Sequence, residues 1–240
     1  MYERFYAPGM DARSKTDTLI HLYIADVSPL MNDDLYERVY RSVSCARRQK
    51  TDRMRFRKDK MLSLGGEYLL MHACENAGLD YGNLEIQCES GGKPDFADPS
   101  FHFNISHSGE RALCAFSTHV VGCDIQIIRE SAMGIASRFF TEEECRLLEK
   151  QKTEAEKAEC FCRLWTLKES FMKCTGLGFS LPLNAFSAIP AGNTVSLRQT
   201  VDREKYAFYE HADGDSYRCA CCVKNAGEDA PAEWEYVTIG

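Results

Sequence analysis

The chain has 240 residues, 44% hydrophobic and 27% charged, which describes a folded globular protein and excludes a disordered tail or a fibre. Its net charge of −7 argues against a general nucleic-acid binder, and no uncharged apolar run approaches the roughly 18 residues that span a bilayer. Twelve cysteines, with Glu3 and Arg4 standing where a signal peptide needs an apolar core, point to a reducing cytoplasm and not to a disulfide scaffold.

In chain order, Leu19 to Val27 is a short apolar run that ends in Asp26 and Ser28-Pro29 and reads as a strand. Residues 32–44 carry Leu35, Tyr36, Val39, Tyr40 and Val43 at helical spacing. Eight of the fourteen residues from Arg47 to Lys60 are basic. Such a run is either a solvated helical face or an anion site, because clustered Arg and Lys match phosphate geometry, and the run alone does not decide. Met61 to Ala77 has a helix pattern closed by Gly78, Leu84 to Cys88 reads as a strand, and residues 89–100 read as a loop. Phe101 to Ser106 and Ala112 to Ser117 read as strands joined by a turn at His107-Ser108-Gly109-Glu110. Val120 to Ile128 follows closely, so the three are expected to form a meander.

Thr141-Glu142-Glu143-Glu144 is a capping box that opens a helix running to about Lys150. A polar stretch from Gln151 to Lys157 precedes a second helix, about Glu159 to Cys174, ending at Gly176 and Gly178. After Pro182 the pattern is short strands with turns at Ala191-Gly192-Asn193 and Asp213-Gly214-Asp215, and a turn-rich tail starts at Ala226. Cys219 and Cys222 have CxxC spacing, but they sit in an apolar strand pattern, where Cys behaves as a small buried hydrophobe and not as a zinc ligand.

Two order-of-element blocks look alike. A strand ending in Asp26 precedes Glu67 by 41 residues, and a strand carrying Asp124 precedes Glu169 by 45, each acid of the second kind on a glycine-closed helix. This suggests two similar α/β halves, 1–117 and 118–225, with a tail at 226–240. Asp124 is a lone carboxylate in an apolar strand, which is costly unless paired or bound to a cation, and alternation puts Gln126 on its face. The plain alternative is an outward-facing residue at a strand end. Trp165, Glu169 and Lys173 share one helical stripe, as an exposed ion pair or as a carboxylate and a cation aimed at one phosphate. Mg²⁺ prefers one or two carboxylates completed by water and phosphate oxygens, which Asp124 and Glu169 would supply.

In this order the motifs resemble the Sfp-type 4′-phosphopantetheinyl transferases. The stretches that carry the likeness are Gly92-Lys93-Pro94, Phe103 to Gly109 (FNISHSG), Gly122-Cys123-Asp124-Ile125, Arg138 to Glu144 (RFFTEEE), Leu164 to Lys173 (LWTLKESFMK) and Gly176 to Leu183. The likeness is dense over about residues 90–187. It implies an α/β (α+β) fold of two pseudo-symmetric halves, a monomer with the active site in the cleft between them. It implies an enzyme that moves the 4′-phosphopantetheine group from coenzyme A to a serine hydroxyl of an apo acyl or peptidyl carrier protein, releasing adenosine 3′,5′-bisphosphate. The resemblance assigns Asp124 and Glu169 to Mg²⁺ (or Mn²⁺ in its place), with Gln126 as third ligand, and Lys173 to the phosphate under attack. Lys168 lies beside them in the motif and is counted, with Lys173, among the residues expected to bind coenzyme A. Lys93, Ser106 and His107 fall at coenzyme A contacts, and Arg47, Lys50 and Ser63 where the family keeps nucleotide-binding residues. Two departures are Gln126, often an acid in relatives, and Leu62, basic in some. Rival readings are a coenzyme A-dependent acyltransferase and a non-catalytic coenzyme A-binding scaffold. Neither nucleic acid nor membrane is an expected partner, and the location expected is cytoplasmic.

Overall fold

The computed structural model describes residues 19–88, 92–129, 134–192, 194–227 and 230–240. Glu3 and Arg4, the first part of the 89–100 loop, Asn193 and residues 228–229 lie outside that description. Among the described residues no helix is long and apolar enough to cross a membrane.

One order of elements runs twice. The first half is β1 (Ile20–Asp26), α1 (Asp33–Ser42), α2 (Cys45–Asp52), α3 (Arg57–Asn76), the hairpin β2 (Ile86–Cys88) and β3 (Pro94–Phe96), then β4 (His102–Ser108) and β5 (Arg111–Ser117). The second is β6 (Val121–Ile127), α4 (Ala136–Phe139), α5 (Glu142–Glu149), α6 (Glu154–Thr175), the hairpin β7 (Ser187–Ala191) and β8 (Thr194–Arg198), then β9 (Tyr206–Asp213) and β10 (Tyr217–Lys224). In both halves the first strand pairs antiparallel with the last, and the last with the middle one, giving β1-β5-β4 and β6-β10-β9. The tail adds β11 (Glu233–Tyr236), parallel to β1 on its other side. The fold is therefore mixed α/β, as expected.

Strand alternation sorts the side chains into layers. Tyr23, Ala25, Ala112, Cys114 and Phe116 pack with Leu64, Leu69, Leu70 and Cys74 of α3. The opposite face of the same strands, Leu22, Ile24, Leu113 and Ala115, packs on Cys123, Ile125, Cys219, Cys221 and Val223 of the second sheet. The far face of that sheet meets α6, where Leu167 packs on Ala220, and Phe171 and Cys174 pack near Cys222. Burying each such Leu or Phe stabilises by about 1.5–3 kcal/mol. The layers thus run α3, first sheet, second sheet, α6. Cys219, Cys221 and Cys222 are buried wall residues of β10.

Several expectations change. The three strands do not form a meander: β6 pairs with β10, and the loop over 89–100 contains β3. β4 continues through Ser108, so the hairpin turn shrinks to Gly109, at φ 61°, and Glu110. α6 starts at Glu154 because a second capping box, Thr153 with Glu156, turns the polar stretch into helix. α6 ends, as expected, at a left-handed Gly176. The acid repeat is not a structural equivalence. Asp124 lies opposite Ala220, the fourth residue of β10, whereas the residue opposite the fourth of β5, Cys114, is Tyr23. Asp26 lies three positions on, opposite Arg111, to which it is paired at 2.9 Å.

Candidate active site

β6 is an edge strand with an unusual partner. Its outer N–H groups at Cys123, Ile125 and Ile127 donate to side chains of β4: Asn104 Oδ1 at 2.9 Å, Ser106 Oγ at 3.4 Å and Ser108 Oγ at 3.1 Å. Its outer carbonyls at Val121 and Cys123 accept from Lys93 Nζ at 2.8 Å and Lys173 Nζ at 3.0 Å. Buried backbone polar groups must be paired, and here side chains replace a neighbouring strand. The two sheets therefore meet along β4 and β6 without a continuous backbone ladder. Asn104, Ser106 and Ser108 alternate along β4, so all three reach the same edge.

The other feature is the seat of α6. A Cβ on Gly122 would come within 2.2 Å of Ser170 O and Cys174 N, so only glycine lets the helix backbone rest on β6 there. Alternation then turns Asp124 and Gln126, with Gly122, toward α6. Asp124 is 2% exposed. Its Oδ1 accepts from Lys173 Nζ at 2.6 Å and Ser106 Oγ at 2.7 Å, and its Oδ2 from Gln126 Nε2 at 3.1 Å. One turn before Lys173, Glu169 has its carboxyl pKa raised, first by burial and then by the charge of Asp124, with Lys173 opposing. Burial works against the charge of Lys173, but Asp124 beside it leaves its pKa raised. Trp165, at the far end of the stripe, stacks on Phe161 and meets Phe139 edge-on.

The first half contributes the other wall. Ser106 and His107 are neighbours on β4 and point to opposite faces, Ser106 to Asp124 and His107 to the basic helices. Loss of hydration, then the charges of Lys173, Lys50 and Arg47, hold the His107 imidazole below its ordinary pKa. The charges of Arg47 and Lys50 from the first half and of Lys173 from the second thus all act on His107, and Lys173 is also paired with Asp124. Arg47 is tied to Glu67 and Ser63, while Lys50 is exposed. Ser63 is buried behind Arg47, its hydroxyl also 3.4 Å from Thr51 Oγ1. Lys93 is turned onto the β6 edge and is mostly buried.

Two residues depart from expectation. Lys168 faces away from this site: its Nζ is fully buried, donating to both oxygens of Glu144 at 2.7 and 2.8 Å and to Phe186 O at 2.6 Å. It has no free proton donor for a ligand, and burial pushes its pKa down against the pull of Glu144. A helix turns about 100° per residue, so the neighbour of Glu169 cannot share its face. Gln126 presents its amide nitrogen, a donor, to Asp124, while its oxygen accepts from Ser108 at 3.3 Å. A half-turn of the amide is needed to offer oxygen toward Asp124.

The donor chemistry suits a hard divalent cation. Asp124 pairs with the Lys173 ammonium at 2.6 Å, the charges of Asp124 and Lys173 both act on Glu169, and the two carboxylates offer oxygen ligands. Among the described residues no group of three or more His, Cys, Asp or Glu is arranged to hold a metal. Two acids completed by water and phosphate oxygens is the arrangement Mg²⁺ takes with nucleotide substrates.

Comparisons with known proteins agree over most of the chain. A family model described as the 4′-phosphopantetheinyl transferase superfamily matches residues 120–222, and one described as 4′-phosphopantetheinyl transferase, N-terminal, matches residues 29–119. A 4′-phosphopantetheinyl transferase of Bacillus subtilis is 34% identical over 78% of this chain and 84% of its own. The 4′-phosphopantetheinyl transferase psf-1 of Bacillus pumilus is 34% identical over 82% of this chain and 83% of its own. The 4′-phosphopantetheinyl transferase Sfp of Bacillus subtilis (strain 168) is 38% identical over 63% of this chain and 68% of its own.

Proposed function

The chain belongs to the 4′-phosphopantetheinyl transferase superfamily, and from that premise we propose that the cleft between its halves, about 1–117 and 118–225, transfers phosphopantetheine with a divalent cation held by Asp124 and Glu169. The chain is a transferase of the phosphopantetheine group. Coenzyme A is the donor in this reading and a serine of an apo carrier protein the acceptor. The serine oxygen attacks the phosphorus on the pantetheine side of the diphosphate. The bond from that phosphorus to the bridging oxygen breaks, adenosine 3′,5′-bisphosphate departs, and the serine proton is lost.

The observation that carries this reading is the buried Asp124, paired with Lys173 at 2.6 Å across the β6–α6 contact, with Glu169 one turn before Lys173 on the same helix. Asp124 and Glu169 would hold Mg²⁺, which when bound supplies Lewis-acid neutralisation of the diphosphate charge. Lys173 adds a positive charge at the same point, anchored by Ser106 and the Cys123 carbonyl. Lys50 and Arg47 supply positive charge for the nucleotide phosphates, and His107, whose charged form they disfavour, supplies a ring N–H beside them. Phosphoryl transfer depends chiefly on such positioning and charge stabilisation.

Incubation with Mg²⁺, coenzyme A and a panel of apo carriers tests the reading. The expected result is a coenzyme A-dependent mass gain on a carrier serine, with release of adenosine 3′,5′-bisphosphate and loss of both on chelation. With acyl-coenzyme A as donor, transfer of the acyl group alone, releasing free coenzyme A and ignoring chelation, would instead place the protein among the acyltransferases, and binding without transfer among scaffolds.

Gln126 makes a second prediction. It puts a neutral amide where relatives often carry an acid, so the site has one negative charge fewer. Gln126→Glu is expected to lower the Mg²⁺ concentration for half-maximal activity by roughly tenfold, the scale on which groups around a metal alter its affinity. Equal half-saturation in wild type and variant would remove Gln126 from the metal site.

A further inference from the structure

Arg47 does not stand free in the cleft wall. Its Nε donates to Glu67 Oε2 at 2.5 Å and its Nη1 to Ser63 Oγ at 3.3 Å. Glu67 lies on α3 and is 2% exposed. Its other oxygen accepts the backbone N–H of Ser44 at 2.7 Å, and its charge adds to burial in raising the pKa of Tyr81. Ser44 is the N-cap of α2, the helix that carries both Arg47 and Lys50. One carboxylate therefore ties the start of α2 and the guanidinium to α3. A guanidinium has five N–H donors, and the contacts to Glu67 and Ser63 leave the rest for a ligand.

We infer that Glu67 is a positioning residue for the anion end of the cleft, holding Arg47 and the start of α2 so that Arg47 and Lys50 flank His107 before a phosphate arrives. This rests on the reading that Arg47 meets the nucleotide end of coenzyme A. Arg is a long side chain whose ordering on binding weakens affinity, and a fixed partner removes that loss in advance. The plain structural alternative is that Glu67 only balances the part-buried charge of Arg47. That role would alter stability and leave ligand affinity alone.

The test is binding of adenosine 3′,5′-bisphosphate to the full chain by calorimetry, with kcat and KM for coenzyme A on an apo carrier. The variants are Arg47→Ala, Glu67→Gln and the two together. Glu67→Gln keeps the shape and removes the charge. It is expected to weaken binding and raise KM by about fivefold to tenfold with kcat unchanged, and the double variant to bind no more weakly than Arg47→Ala. If Arg47→Ala weakens binding and Glu67→Gln does not, or if the two losses simply add, the positioning role is overturned. If Arg47→Ala itself leaves binding intact, the ligand reading of Arg47 falls, and the inference with it. Should Glu67→Gln not fold, Glu67→Asp keeps the charge but withdraws it by one methylene. The same rise in KM alone is expected, and a normal KM overturns the role.

Discussion

Glu169→Gln and Asp124→Ala are each expected to abolish transfer while the protein remains folded, in a carrier mass-shift assay run beside a circular-dichroism melt. The expected loss is about a hundredfold to a thousandfold or more, the range for removing one preorganised charge from a reacting centre. Glu169→Gln changes one oxygen to nitrogen, so shape is preserved and only charge and ligand capacity go. Its melting temperature is expected to hold or rise, because the raised pKa of Glu169 reflects burial and repulsion from Asp124. Asp124→Ala acts differently. It leaves Lys173 without its 2.6 Å partner and Ser106 without an acceptor at 2.7 Å, so some stability is lost as well. Asp124→Asn therefore belongs in the set, since it keeps an acceptor for both. A coenzyme A-dependent mass shift that survived Glu169→Gln and Asp124→Asn would reject the assigned site.

The second large effect lies away from Asp124 and Glu169. Lys168→Ala is expected to destabilise the fold by about 3–5 kcal/mol, the range for removing one partner of a buried ion pair. Lys168 and Glu144 both have fully buried side chains. Glu144 also caps α5 by accepting the Thr141 N–H at 2.8 Å, and it accepts the Ala188 N–H of β7 at 3.0 Å. A single carboxylate thus joins α5, α6 and β7, and Lys168 neutralises it. Under conditions where the variant is still folded, KM for coenzyme A is expected to stay at the wild-type value. A raised KM with an unchanged denaturation midpoint would return Lys168 to the ligand site.

The two acids of α5 and α6 show where local patterns suffice. The capping box at Thr141 and Glu144 was readable because its partners are three residues apart, and the structure has both of its hydrogen bonds. That the same Glu144 neutralises Lys168 was not readable, since those residues are 24 apart and meet only when α5 packs on α6. Lys168 and Glu169 are neighbours in one motif, yet helical geometry sets them about 100° apart around the axis, on different faces. The basic run from Arg47 divides likewise: Arg47 is held by Glu67, Arg57 stacks over Tyr36 at 3.5 Å, and Lys50 is exposed. Its ambiguity between solvated face and anion site had no solution along the chain.

By itself the sequence determined the mixed α/β character, the strands and helices with strong periodicity and, through the resemblance of its motifs, the family; it also singled out Asp124, Glu169 and Lys173 as candidates. The first two arise from periodicity, caps and turn residues, which act within a few residues along the chain. Tertiary structure alone decided that β6 leaves the meander for β10, that Tyr23 and not Asp26 takes the place of Asp124 in the first half, and that Asn104, Ser106 and Ser108 form the seam. Register and edge partnership are set by contacts between segments distant in the chain, where a strand's own alternation fits either neighbour equally well.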